Sequence, residues 1–131
     1  MKVKGFNHIT LIVGDLPTSL GYYERILGLK KIHHGNTDAY LEWGNAWICL
    51  MERKEYLQKD QRQTRGVDHI AFSIAEADFD EAVTKLIEHQ VQIVRGPVER
   101  GGGRVVNFLD PDGVQLELNT SNLEKRMKDW G

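Results

Sequence analysis

Apolar and polar positions alternate along this chain with two periods, and the periods divide it into strands and helices. Gly113-Val114-Gln115-Leu116-Glu117-Leu118-Asn119 has a period of two, which predicts a strand after the turn Asp110-Pro111-Asp112-Gly113. Val114, Leu116 and Leu118 share one face, and Gln115, Glu117 and Asn119 share the other. Residues 6–13 and 68–74 predict two further strands, each opening on a short polar residue and a histidine before an apolar run. Leu16, Leu20, Tyr23 and Leu27 recur at steps of four, three and four, so 16–27 reads as a helix with one buried stripe. Asp15 is its cap, Pro17 fits its first turn and Gly28 stops it. A strand over 29–34 follows, then a hairpin of 39–43 and 46–51 about Gly44-Asn45.

The second half repeats the scheme. Asp78 and Glu81 resemble a capping box at the start of a helix whose apolar face is Phe79, Ala82, Val83, Leu86 and Ile87. His89 falls at its end, where a cation is favourable. Residues 91–94 predict a short strand, 96–104 a glycine-rich loop, and 104–109 a strand returning to the 110–113 turn. Leu123, Met127 and Trp130 suit a short terminal helix, with Lys125 and Arg126 between them.

Asn7-His8-Ile9-Thr10 and Asp68-His69-Ile70-Ala71 lie 61 residues apart, and each is followed by a helix, a glycine turn and further strands. The chain therefore reads as one α+β unit used twice within a single domain. The first repeat covers about 4–53, a polar linker about 54–65, the second repeat about 66–120 and the C-terminal helix about 121–131. The polar stretch of this linker, counted from Glu52 to Arg65, carries Lys54, Glu55, Lys59, Asp60 and Arg62.

Composition narrows the partners. A formal charge of −2 over 131 residues gives no general attraction to nucleic acid or anionic membrane. Small molecules and a second copy of the chain are the expected partners. The lone Cys49 cannot form an intrachain disulfide, no apolar run reaches membrane-spanning length, and Met1-Lys2-Val3-Lys4 precedes no signal-like segment. The cytoplasm is the default location.

The candidate chemistry lies on three strands. His8 shares a face with Thr10 and Ile12, His69 with Ala71 and Ser73, and Glu117 with Gln115 and Asn119. Two imidazoles and one carboxylate form a ligand set for a divalent metal with open positions, whether Mn, Zn, Ni or a redox-active Fe. Such a centre stabilises negative charge developing on a bound oxygen. Other features have plainer readings. His33 and His34 point to opposite faces beside a turn, Trp47, Cys49 and Met51 share a face as core or pocket wall, and Cys49 has no activating neighbour in sequence. Gly101-Gly102-Gly103 is either a mobile loop or a cradle for a phosphate or monovalent cation, without the Gly-Lys-Ser/Thr ending of a P-loop.

The whole chain resembles the vicinal oxygen chelate superfamily, and within it the fosfomycin-resistance thiol transferases. The shared stretches are Gly5-Phe6-Asn7-His8-Ile9-Thr10-Leu11, Asp15-Leu16-Pro17, Ala39-Tyr40-Leu41-Glu42, Trp47-Ile48-Cys49-Leu50, His69-Ile70-Ala71-Phe72 and Phe108-Leu109-Asp110-Pro111-Asp112-Gly113. The resemblance implies two βαβββ units as paired half-barrels around a metal cup, helices outside. It implies transfer of glutathione or another thiol to a small epoxide or phosphonate-like substrate, in a homodimer that exchanges strands. His8, His69 and Glu117 would hold the metal, Thr10 would assist at the opening epoxide oxygen, Arg126 would bind the phosphonate, and Tyr40 and Trp47 would line the pocket. Asn107 stands where those transferases carry a tyrosine beside the substrate, their serine-bearing potassium loop is here Gly101-Gly102-Gly103-Arg104-Val105, and their lysine before that loop has no evident match near Pro97. Arg100 or Arg104 would replace the lost contacts. The same ligand set also serves Fe(II) extradiol-type dioxygenases, glyoxalase-like lyases carry a fourth ligand, which would fall near Cys49, and a non-catalytic binding protein can share the fold.

Overall fold

In the computed structural model, which describes residues 1–58 and 65–130, the chain forms two units, Met1–Gln58 and Lys59–Gly131. The first contains β1 (Ile9–Val13), α1 (Leu16–Leu20) continuing as a π-helical segment (Gly21–Ile26), β2 (Lys30–His34), β3 (Asp38–Trp43) and β4 (Ala46–Glu52). Its sheet runs in the order β1-β4-β3-β2, with β1 parallel to β4 and the other pairs antiparallel. Leu11, Val13, Ala39, Leu41, Ile48 and Leu50 form the buried face, alternating with exposed or half-buried residues except at the buried Cys49, and α1 packs on β3 and β4.

Local chemistry sets the helix entry. Asp15 accepts from the Thr18 amide at 3.0 Å and from the Thr18 hydroxyl at 2.6 Å, which lowers its pKa, the hydroxyl being the larger cause. A second cap comes from Glu52, whose Oε2 accepts from the Leu16 amide at 2.8 Å. Glu52 thus belongs to β4 and to the helix start, not to a solvated linker; Lys59, Asp60 and Arg62 lie outside the described residues. The expected stripe is also modified. The Leu27 amide bonds to the Tyr22 carbonyl five residues back, and this wider turn rotates Tyr22 and Tyr23 together into the core while Leu27 is only half-buried.

The second unit contains β5 (Ile70–Ser73), α2 (Glu76–Glu88), β6 (Ile93–Arg100), β7 (Gly103–Leu109), β8 (Gln115–Asn119) and α3 (Leu123–Trp130). Its sheet order, β5-β8-β7-β6, repeats that of the first unit, with β5 parallel to β8 and the rest antiparallel. The α+β reading with its two βαβββ units is what the structure has.

Three expectations are corrected. α2 begins at Glu76, with Ala75 as its cap residue and no side-chain cap, so the Asp78–Glu81 capping box does not form; Glu76 and Asp78 instead place negative charge in the first turn. β6 does not stop at Val94 but runs to Arg100, with register shifts on both sides of Arg95. The glycine run is therefore the turn of the β6–β7 hairpin rather than a separate loop, and it lines a cavity of about 490 Å³ with Glu76, Glu99, Arg100 and Arg104. Arg100 pairs with Gly103, and Gly101 and Gly102, at φ +61° and +80°, form a two-residue hairpin turn that only glycine enters without strain. The expected terminal helix forms as α3, with Leu123 and Met127 74% and 56% exposed; the side chain of Trp130 lies outside the described residues.

Gly103 is where this hairpin meets the chain leading into α3. A Cβ there would stand 2.7 Å from Thr120 Oγ1 and 2.9 Å from the Ser121 amide nitrogen. Gly103→Ala is expected to destabilise the fold by about 1–3 kcal/mol through overpacking, measured as a lower urea midpoint at unchanged slope.

Candidate metal centre

Glu117 sits in β8 between Ala71 of β5 and Asn107 of β7, its register partners on the two sides. Its residue exposure is only 5%, and a carboxylate at such depth is costly unless its oxygens are satisfied. They are. Asn107 Nδ2 donates to Oε1 at 3.2 Å and Asn119 Nδ2 donates to Oε2 at 3.0 Å. Two cation-forming groups approach the same Oε1, His69 Nε2 at 3.5 Å and Arg95 Nη2 at 3.7 Å.

His69 directly precedes β5, and its other ring nitrogen, Nδ1, lies 2.7 Å from Asp68 Oδ2. A carboxylate on Nδ1 fixes the proton there, leaving the Nε2 lone pair facing Glu117. His8 has the corresponding position before β1, with Nδ1 2.6 Å from Asn7 Oδ1. Both histidines thus carry the outer hydrogen bond typical of metal ligands, and the Nε2–carboxylate separation at His69 suits two donors about 2 Å from one ion. The donor set fits a divalent metal. Among the described residues, no group of three or more His, Cys, Asp or Glu side chains that could hold a metal is assembled.

The first unit contributes a different surface. The His8 ring stacks on Trp47 at 4.1 Å and 20°, Trp47 meets Tyr40 edge-on at 5.6 Å, and Tyr40 meets His33 at 4.9 Å. These rings span all four strands or their entries. Tyr40 and Trp47 also line a cavity of about 370 Å³ with Ile32, Leu41, Glu42 and Ala46. Thr10 is exposed on β1 opposite Cys49 of β4, the same register that places Ala71 opposite Glu117. The first unit therefore has a thiol where the second has a carboxylate.

The remaining candidates are placed elsewhere. His33 lies 3.3 Å from Asp38 and His34 3.4 Å from Lys31, on opposite faces of β2. Arg104 is on the face of β7 away from Asn107, where it pairs with Glu76 and Asp80 and covers Phe79 at 4.5 Å. The Arg104 hydrogen bond holds the Asp80 carboxyl below its usual range, and the same bond raises the guanidinium. Arg126 lies against Gly101. Asn107 is fully buried, with its amide between Arg95 and Glu117. Arg95 is the residue that sequence reasoning missed; the shifts in β6 register bring it opposite Asn107.

Cys49 is 6% exposed, and burial pushes its thiol pKa up, against a smaller lowering by the Thr10 hydroxyl. The raised value keeps it protonated through neutral pH and cuts the reactive thiolate fraction. Native protein at pH 8 should therefore react with a disulfide reagent at least tenfold more slowly than protein unfolded in guanidinium, with one thiol released only on unfolding.

The chain is 38% identical over 129 residues to the metallothiol transferase FosB of Staphylococcus epidermidis, covering 98% of this chain and 89% of that one. It is 35% identical to the glutathione transferase FosA of Serratia marcescens, covering 95% and 86%. Among solved structures it superposes on the fosfomycin resistance protein FosX of Listeria monocytogenes, complexed with Mn(II) and sulfate, with a TM-score of 0.78 at 30% identity, covering 99% and 100%. No helix among the described residues is long and apolar enough to cross a membrane. Residues 5–118 match the family model described as glyoxalase/bleomycin resistance protein/dioxygenase superfamily, and the chain belongs to that superfamily.

Proposed function

We propose that this chain adds a thiol, glutathione or another, to a small epoxide-bearing phosphonate at a divalent metal held by His8, His69 and Glu117. The observation that carries this reading is the pairing of His69 Nε2 with the buried Glu117 carboxylate at 3.5 Å, in a chain whose relatives include metal-dependent thiol transferases. A strand-exchanged homodimer would complete each centre, His8 of one protomer working with His69 and Glu117 of its partner.

When bound, a divalent metal would polarise the epoxide oxygen and stabilise the negative charge that develops there. The attacking sulfur belongs to the cosubstrate, because Cys49 is buried and protonated. That sulfur forms a bond to a ring carbon, the ring C–O bond breaks with its electron pair left on oxygen, and the oxygen then takes up a proton, while the thiol releases its own to solvent. Thr10 donates its hydroxyl toward the opening oxygen. Arg126 binds the phosphonate, and Arg95, half-exposed beside Glu117, supplies a second cation in place of Arg104, which is occupied by Glu76 and Asp80. Tyr40 and Trp47 give the substrate an apolar wall. A lyase of the glyoxalase type would place a fourth ligand at the position of Cys49, which is buried on β4 at 6% exposure.

Three measurements check the reading. Protein purified without chelator should hold close to one divalent metal per chain and consume thiol in the presence of fosfomycin after Mn(II) is restored. His69→Ala and Glu117→Gln should fold normally and lose the metal; stoichiometric metal in either would remove the centre. Arg126→Ala should weaken binding of the anionic substrate by about 1.5–3 kcal/mol, read as a rise in Kd, and an unchanged Kd would remove Arg126 from the phosphonate site.

A further inference from the structure

Both amides that touch Glu117 are oriented by a third group. The Asn107 Oδ1 accepts from Arg95 Nε and Nη2, each at 3.4 Å, so its NH₂ must face Glu117 Oε1. The Asn119 Oδ1 accepts from the Ser121 amide at 2.7 Å, so its NH₂ must face Glu117 Oε2. Neither amide can turn over without placing oxygen against carboxylate oxygen and breaking its outer bond. The two therefore act as a clamp with one donor on each carboxylate oxygen, fixing the plane of the carboxylate and leaving one lone-pair direction on each oxygen open.

Asn107 does a second thing. Its Oδ1 takes up the Arg95 guanidinium, which stops 3.7 Å from Glu117 Oε1, beyond hydrogen-bond length. Without that acceptor, Arg95 has only a short movement to make before it closes a direct charge-assisted bond to the carboxylate. A guanidinium bonded there would compete with a metal ion for the same oxygen.

We infer that Asn107 and Asn119 are positioning residues that set the affinity of the Glu117 centre for its metal, Asn107 by aiming the carboxylate and by holding Arg95 off it. This rests on the metal reading above. Neither residue touches the reacting atoms; both act through Glu117.

The test is Mn(II) binding, read from the EPR signal of free Mn(II) on titration, with the visible d–d spectrum of the Co(II)-loaded protein as a signature of ligand geometry. Asn107→Leu and Asn119→Ala should each bind Mn(II) about 10–100-fold more weakly than the parent chain, and alter the Co(II) spectrum. Asn107→Leu combined with Arg95→Met should recover much of the loss of Asn107→Leu alone, since no guanidinium is left to occupy the oxygen. Circular dichroism reports whether each variant folds; Asn119, only half-buried, decides the clamp alone if Asn107→Leu does not fold. Parental Mn(II) affinity and spectrum in the folded variants would overturn the clamp. Failure of Arg95→Met to rescue would overturn the spacing role of Asn107. Parental Mn(II) affinity in Glu117→Gln would overturn the metal reading itself, a different failure from either.

Discussion

A carboxylate with 5% exposure in an interior strand constrains everything around it. An isolated charge moved to such a place costs several kcal/mol even after relaxation, whereas each hydrogen bond to a charged group returns about 1.5–3 kcal/mol. The two amides, with Arg95 nearby, bring that sum near balance and no further. Apolar side chains in place of such a cluster are often neutral or stabilising. The fold gains little from Glu117, so its presence with a complete set of donors is best explained by what the carboxylate does. The same constraint accounts for the small Ala71 beside it, for the irregular pairing of β6 that brings in Arg95, and for the Asp68–His69 bond that orients the imidazole.

The two units show how one topology carries two chemistries. In each, the first strand pairs in parallel with the fourth, and a histidine precedes the first strand. At the equivalent register the first unit pairs Thr10 with Cys49 and the second pairs Ala71 with Glu117. The first unit then lays a row of rings, His33, Tyr40, Trp47 and His8, across its sheet. The second fills the matching face with Asn107, Asn119 and Glu117. One repeat carries the row of rings and the other the buried carboxylate with its two amides.

Much of this was legible because it is written in periodicity. Alternation located β8, apolar runs after a histidine located β1 and β5, the Gly44-Asn45 turn located β3 and β4, the paired histidine motifs exposed the repeat, and Asp15 and Gly28 marked the first helix. What was not legible depends on tertiary context. The π-turn has no residue signature, and it moved Tyr22 into the core. Glu52 reads as polar linker until its carboxylate is seen on the Leu16 amide. β6 was cut short because Gly96-Pro97 is ordinarily a turn signal, and with that strand went Arg95, whose position opposite Asn107 exists only through the register shifts. Arg104 attracted attention by its charge alone, yet alternation already puts it on the face opposite Asn107, three residues on.

Asn107 and Arg95 are joined by their geometry. Where the resemblance leads one to expect a tyrosine, a longer ring would carry its hydroxyl outward and could not offer both an acceptor to a guanidinium and a donor to a carboxylate from one short side chain. Asparagine does both, at 3.4 Å and 3.2 Å. It therefore permits an arginine within 3.7 Å of the carboxylate without letting the two collapse into a closed ion pair. In the proposed reading, the phosphonate contact that a tyrosine would have made is replaced by a full positive charge kept partly in solvent, and charged donors hold an anion more strongly than a neutral hydroxyl does. On that reading the anion site would lie toward β6, and its affinity would follow the charge of Arg95.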